Sequence, residues 1–242
     1  DASHYKSCFL SLNQAALLRK TTQDFGSAVN NTLYLASQSS ARHRLLTQAK
    51  IPFLVVPTGV VEEEAEVSGS VHEQVCALAD YKHSGIDVAA VTALHQPYKA
   101  RPLFFLSADT LIAGVNNGAL YGKPRNREHA AKMLGEIAQQ EIDVVTGMAL
   151  SVWQYSSTTH RWENMHNETW HAGARARFSI EDDMIDEYFA ACPFAMFACG
   201  ATVVEEIGIR GFSHLNGSYS GALGIDIYGL YQRLKKHGFW HY

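Results

Sequence analysis

Apolar runs of strand length alternate with segments of helical period along most of this chain, which limits the fold to a sheet carrying helices on its faces. Leu33-Tyr34-Leu35-Ala36 predicts a short buried strand, and over Ser39–Ala49 the residues Leu45, Leu46 and Ala49 share one helical face. Phe53–Pro57 predicts a second strand, and Val75, Leu78 and Ala79 mark a helix over His72–Lys82. Leu103-Phe104-Phe105-Leu106 is the most strongly apolar strand, ending in Ser107-Ala108-Asp109-Thr110, so polar groups are expected just past its end. Asn116-Asn117-Gly118 is a hairpin turn signal ahead of Ala119-Leu120-Tyr121. Asn126 caps a helix carrying Ala130, Met133, Leu134 and Ile137, and Ser179 with Asp182 forms a capping-box-like start for Met184, Ile185, Tyr188 and Phe189. Asp143–Tyr155 and Trp162–Phe178 predict two long strands around Ser156-Ser157-Thr158-Thr159, and a last helix runs from about Asp226 to Lys236. The stretch from Gly85 to Arg101 has no firm pattern. The expectation is an α/β fold with a mixed sheet and flanking helices.

At 242 residues and 47% hydrophobic content, one substantial core is affordable, and one globular unit with two lobes is expected. A net charge of −4 supplies no global basic field for a nucleic-acid polymer or an anionic membrane, so any phosphate site is local. Charged residues or histidines break every apolar stretch of spanning length, which predicts a soluble protein. Cys8, Cys76, Cys192 and Cys199 show no paired spacing, which points to reduced thiols and a cytoplasmic setting. Residues 1–31 are polar and largely aperiodic and read as an N-terminal extension, leaving 32–242 as a single catalytic domain.

Three segments carry chemistry. Ser37-Gln38-Ser39-Ser40-Ala41-Arg42 leaves a strand and opens a helix, where free N–H groups, the helix dipole and a guanidinium together favour phosphate. The alternative for this segment is that Ser39 merely caps the helix and Arg42 is a solvated surface charge. Asp109 is suited to hold a divalent ion or to take a proton from attacking water, although a strand-end aspartate is commonly only a turn residue. Lys123, between Gly122 and Pro124, sits in a stiff loop that can hold its ammonium near a phosphate, or is simply an exposed loop lysine.

Taken in order, these segments resemble the Maf family of nucleoside triphosphate pyrophosphatases over residues 33 to 237. The resemblance rests on Leu35-Ala36-Ser37-Gln38-Ser39 through Arg42 with Leu45-Leu46, Val55-Val56-Pro57, Ser107-Ala108-Asp109-Thr110, Gly122-Lys123-Pro124, Val144-Val145-Thr146-Gly147, and Asn216-Gly217-Ser218-Tyr219-Ser220 with Gly224. It implies a twisted mixed sheet with two lobes around a central cleft, and cleavage of a nucleoside triphosphate between its α and β phosphates. It also implies a homodimer and a Mg²⁺ or Mn²⁺ ion held by Asp109 and Glu62, with Glu63 or Glu64 in place of Glu62 if the register shifts. Asp109 matches the catalytic aspartate, Lys82 and Lys123 the phosphate-facing lysines, and Ser37, Ser39 and Arg42 the strand-to-helix cradle.

The chain departs from the family pattern at two places that bear on the base. Ala41 stands where the first of two arginines is usual, and Glu205, or Glu206 in a shifted register, stands where the pyrimidine branch has glutamine. A carboxylate only accepts hydrogen bonds, which suits adjacent guanine donors and, better still, a positively charged 7-methylguanine. These departures favour 7-methyl-GTP, whereas Thr110 fits the pyrimidine pattern of a dTTP/UTP pyrophosphatase. A catalytically weak nucleotide-binding regulator of cell division is the competing class. His83, His95, His160, His166, His171, His214, His237 and His241 lack tight metal-ligand spacing and read mostly as ordinary surface histidines, and Trp153, Trp162 and Trp170 as packing or interface residues.

Overall fold

In the computed structural model, the residues described are 31–61, 65, 67–94, 100–138, 140–204 and 206–240. The expected extension, the acidic cluster Glu62-Glu63-Glu64 and Glu205 lie outside the described residues, apart from Asn31.

The chain opens with β1 (Leu33–Ala36), α1 (Ser40–Gln48), β2 (Phe53–Val55), α2 (Val71–Ser84) and α3 (Val88–Leu94). β3 (Leu103–Gly114), β4 (Leu120–Tyr121), α4 (Arg127–Ala138), β5 (Glu141–Ser156) and β6 (Arg161–Phe178) follow. After α5 (Ile185–Ala191) and several 3₁₀ turns come β7 (Phe212–Gly217), α6 (Tyr219–Ala222) and α7 (Ile227–Lys236). The strands form a seven-stranded sheet in the order β2-β1-β3-β5-β6-β7, with β4 also on β3. β2, β1 and β3 are parallel, and the remaining pairings are antiparallel, so the sheet is mixed as expected.

Alternation along β3 sorts its side chains between two layers. Phe104, Leu106 and Ala108 pack with Leu45 and Leu46 of α1 and Leu230 and Leu234 of α7. Leu103 and Phe105 point the other way, into a cluster with Ile86 and Val91 beside α2 and α3. A further core gathers Ile112, Val144 and Ala176 with Leu134 and Ile137 of α4 and Tyr188 and Phe189 of α5. β3 and β5 run through both ends, so the two lobes share continuous strands.

Three sequence expectations change. β3 does not stop before Asp109: it continues to Gly114, because β5 pairs with it from Leu103↔Trp153 to Gly114↔Ile142. Ser179 and Asp182 do not build a capping box. The Ser179 N–H donates to the Gly211 carbonyl, the chain takes a 3₁₀ turn at Asp182–Met184, and α5 then starts from Met184 without a side-chain cap. The Gly85–Arg101 stretch contains α3, whose start is fixed by the Asp87 carboxylate accepting from the Ala90 N–H at 2.9 Å.

Candidate active site

β3 gives one edge first to β1, as far as Ala36↔Ser107, and then to β4, from Ile112↔Tyr121. Ala108–Leu111 lie between these pairings, and a cleft of about 640 Å³ opens there. The loops leaving parallel strands β1 and β2 form its rim, the usual place for a ligand at the carboxyl ends of an open α/β sheet. Ser37, Ser39, Ala41, Arg42, Lys82, Asp109, Thr110 and Lys123 all line this cleft.

Asp109 and Thr110 are consecutive on a strand, so they project to opposite faces and engage different helices. On the α2 face, Lys82 Nζ forms an ion pair with Asp109 Oδ1, and Lys82 is only 5% exposed. Lys82 lies on the same helical face as Val75 and Ala79, which pack against the sheet. α2 reaches the sheet this closely because Gly147, the β5 partner of Asp109, has no side chain: a Cβ there would lie 2.1 Å from the Val75 carbonyl oxygen. Thr58 tethers the C-terminal end of α2 by donating to the Lys82 carbonyl at 3.0 Å.

On the other face, Arg42 is buried rather than solvated. Its Nε donates to the Gly224 carbonyl at 2.9 Å, Nη1 to Ser37 Oγ at 3.0 Å, and Nη2 to Thr110 Oγ1 at 3.0 Å. Thr146 donates to the Gly221 carbonyl at 2.7 Å, so the 2.8 Å contact between the two threonine hydroxyls runs from Thr110 to Thr146. Ser39 does cap α1, its Oγ accepting from the Arg42 N–H, and its own N–H donates to Ser37 Oγ at 3.2 Å. Capping and cradle are therefore the same structure. Gly224, at φ +114°, takes a backbone conformation that side chains disfavour, and it lies directly against Arg42.

Lys123 also lines the cleft and is exposed, on a loop held by the Gly200 N–H donating to the Gly122 carbonyl at 2.8 Å. Several cleft residues were not singled out from sequence. Cys199 donates to the Thr110 carbonyl, and burial together with Asp109 pushes its thiol up to about 11 against the pull of Arg42, Lys123 and Lys82. Phe194 and Phe197 also line the wall, Phe197 with 77% of its surface exposed. Pro193 marks the end of α5, and the apolar residues that follow it carry no signal that distinguishes a wall from a core. Glu62 and Glu205, assigned to metal and base, lie outside the described residues.

The cleft joins a helix start, buried cations and a carboxylate at one edge of a sheet, an arrangement suited to phosphate and to activating water beside it. The sequence profile of the family described as Maf-like protein matches residues 32–237. A dTTP/UTP pyrophosphatase of Halalkalibacterium halodurans is 30% identical over 209 residues, covering 86% of this chain and 96% of that protein. Proteins of the same description from Escherichia coli K12 and Ruminiclostridium cellulolyticum are 29% and 27% identical, each over 84% of this chain and over 91% and 95% of their own lengths. With the match spanning the sheet, both lobes and the whole described cleft, the chain belongs to the Maf-like protein family.

Proposed function

We propose that this protein is a nucleoside triphosphate pyrophosphatase that hydrolyses its substrate to the nucleoside monophosphate and pyrophosphate. The observation that carries the reading is the Lys82–Asp109 ion pair set beside the Ser37–Arg42–Thr110 cradle in one cleft. The triphosphate is placed at the start of α1, where backbone N–H groups and the helix dipole favour negative charge. Arg42 holds the cradle's shape by joining Ser37, Thr110 and Gly224, and adds its charge to the site. Lys82 and Lys123 neutralise charge developing on the phosphate oxygens. An arriving phosphate competes with Asp109 for Lys82, which releases the carboxylate to direct water at phosphorus.

Asp109 offers a hard oxygen donor beyond the one Lys82 engages, the ligand type that Mg²⁺ or Mn²⁺ takes together with phosphate oxygens. Asp109 and Glu62 are the residues assigned to such an ion, which when bound supplies charge neutralisation and orientation of the phosphates. The reading includes a homodimer, in line with the family resemblance, and a cytoplasmic setting, in line with Cys76 and Cys199 being free thiols. No helix among the described residues is long and apolar enough to cross a membrane.

For the base, the descriptions of the relatives and the place of Thr110 in the cradle favour UTP and dTTP. A second reading, 7-methyl-GTP, is favoured by Ala41 on the cleft wall and by Glu205 in the sequence. The test is pyrophosphate release from UTP, dTTP, CTP, GTP, ITP and 7-methyl-GTP with Mg²⁺ or Mn²⁺. Preference for UTP or dTTP supports the first reading, and preference for 7-methyl-GTP supports the second. Nucleotide binding with no release from any of them contradicts the enzyme and supports a nucleotide-binding regulator.

A further inference from the structure

Away from the cleft, α7 packs on the face of β6 that carries His166, Glu168 and Trp170. Alternate residues of a strand share a face, and Arg233 and His237, four apart around the end of the helix, lie over that row. The Arg233 guanidinium sits 4.0 Å from the Trp170 ring centroid, and its Nε lies 3.1 Å from Glu168 Oε2. Beyond it, the His166 and His237 rings lie with centroids 4.2 Å apart, and His166 Nε2 approaches Glu168 Oε1 at 3.1 Å. His166 Nε2, His237 Nε2, Glu168 Oε1 and Arg233 Nε are all shut off from solvent, yet none makes a well-aligned hydrogen bond. Buried polar atoms ordinarily find partners, so four orphans at one place, three of them able to ligate a metal, call for an explanation. One donor atom from each of these three residues lies within 4.8 Å of the others.

We propose that His166, Glu168 and His237 bind a divalent transition-metal ion, Zn²⁺ in preference to Mg²⁺, which staples the C-terminal end of α7 to β6. Two imidazole nitrogens and one carboxylate oxygen form a zinc donor set, whereas Mg²⁺ asks for oxygens alone. In a tetrahedral zinc site the donors stand roughly 3.4 Å apart, so small side-chain rotations bring these three into range. Arg233 forms an ion pair with Oε2, which leaves Oε1 for the ion. Neutral imidazoles and an ionised carboxylate are the forms that bind metal. Arg233 and Lys236 oppose an added cation, so the affinity is expected to fall below that of four-ligand structural zinc sites. Water takes the fourth position.

The site is remote from Asp109, and its test needs no turnover. The full chain, stripped with chelator, is titrated with Co²⁺ and followed by the visible absorption of nitrogen-ligated, four-coordinate cobalt. The expected result is bands that saturate at one ion per chain, persist in Asp109→Asn and are displaced by Zn²⁺. At a hundredfold excess over its dissociation constant, Zn²⁺ is expected to raise the melting temperature by about 5 °C or more. His237→Gln and His166→Gln are each expected to weaken binding on the order of 100-fold while the far-UV spectrum stays that of the parent. Absence of bands in the parent chain, or bands unchanged in both variants, overturns the proposal.

Discussion

Arg42 does at one position what a lysine cannot: its fork meets the Gly224 carbonyl, Ser37 and Thr110 at once. Arg42→Lys keeps the charge and loses that geometry, so kcat/KM is expected to fall about 100-fold and stability by about 1–2 kcal/mol, read from steady-state kinetics and urea denaturation. A variant with parental kinetics would remove Arg42 from the cradle. His83 is the other decisive single residue. Trp153 Nε1–H donates to Ser151 Oγ at 3.1 Å, Ser151 to His83 Nε2 at 2.8 Å, His83 Nδ1–H to Ser107 Oγ at 3.2 Å, and Ser107 to the Ala79 carbonyl at 2.7 Å. The Ala79 carbonyl only accepts, so His83 Nδ1–H is the donor to Ser107, and with the imidazole neutral Ser151, already accepting from Trp153, donates to Nε2. Burial pushes His83 down from 6.5 to about 4, against the pull of Asp80 and of the Ala149 backbone. Between those values the unfolded chain binds a proton that the folded chain refuses. The stability linked to His83 is therefore complete above about pH 6.5 and lost as pH falls toward 4, on the order of 3 kcal/mol in all. Urea unfolding between pH 7.5 and 4.5 should show that slope in the parent and a flatter one in His83→Gln; equal slopes would contradict the assignment.

At the scale of elements, the cleft depends on α2 lying flat against β5. Gly147→Ala sets a methyl 2.1 Å from the Val75 carbonyl oxygen, so the helix has to move and carry Lys82 with it. The expected cost is about 1–3 kcal/mol in stability and a loss of turnover of roughly tenfold or more, while Gly122→Ala, which meets no atom within 4 Å, should be mild in stability by comparison. Equal melting temperatures for the two variants would show that α2 does not need this approach. Much of this level was legible in the sequence, because β1, α1, α2, α4, the β5–β6 pair and α7 each carry a clear period and a matching turn or cap. β3 was read too short because Ser107, Asp109 and Thr110 look like a strand end, yet their polar atoms are satisfied by α2, Arg42 and Thr146 within the sheet. β7 was missed since its pattern is that of a mostly exposed edge with little apolar alternation. Lys82 carried a usable signal: a lysine in register with Val75 and Ala79 on the apolar face is either an error of the pattern or a buried, paired charge. The gathering of His166, Glu168 and His237 had none, because it is made by tertiary packing of α7 on β6.

For the whole molecule, three apolar clusters share β3 and β5, and the cleft opens where the pairing of β1 with β3 ends and that of β4 begins. Residues distant in sequence, from Ser37 to Gly224, meet there because the chain returns through α6 and α7 to the face on which it began. The family resemblance named the residues that meet; the structure supplies the pairings among them, which spacing alone does not contain. The claim that unites these levels is that Asp109 in this cleft directs water for cleavage between the α and β phosphates. It is tested most directly by identifying the products from UTP with the parent chain and with Asp109→Asn under the same divalent ion. The account predicts UMP and pyrophosphate from the parent, and a rate lowered about 10²–10⁴-fold in a variant that keeps the parental melting behaviour and nucleotide binding. UDP and phosphate as products, or a fully active Asp109→Asn chain, would contradict it.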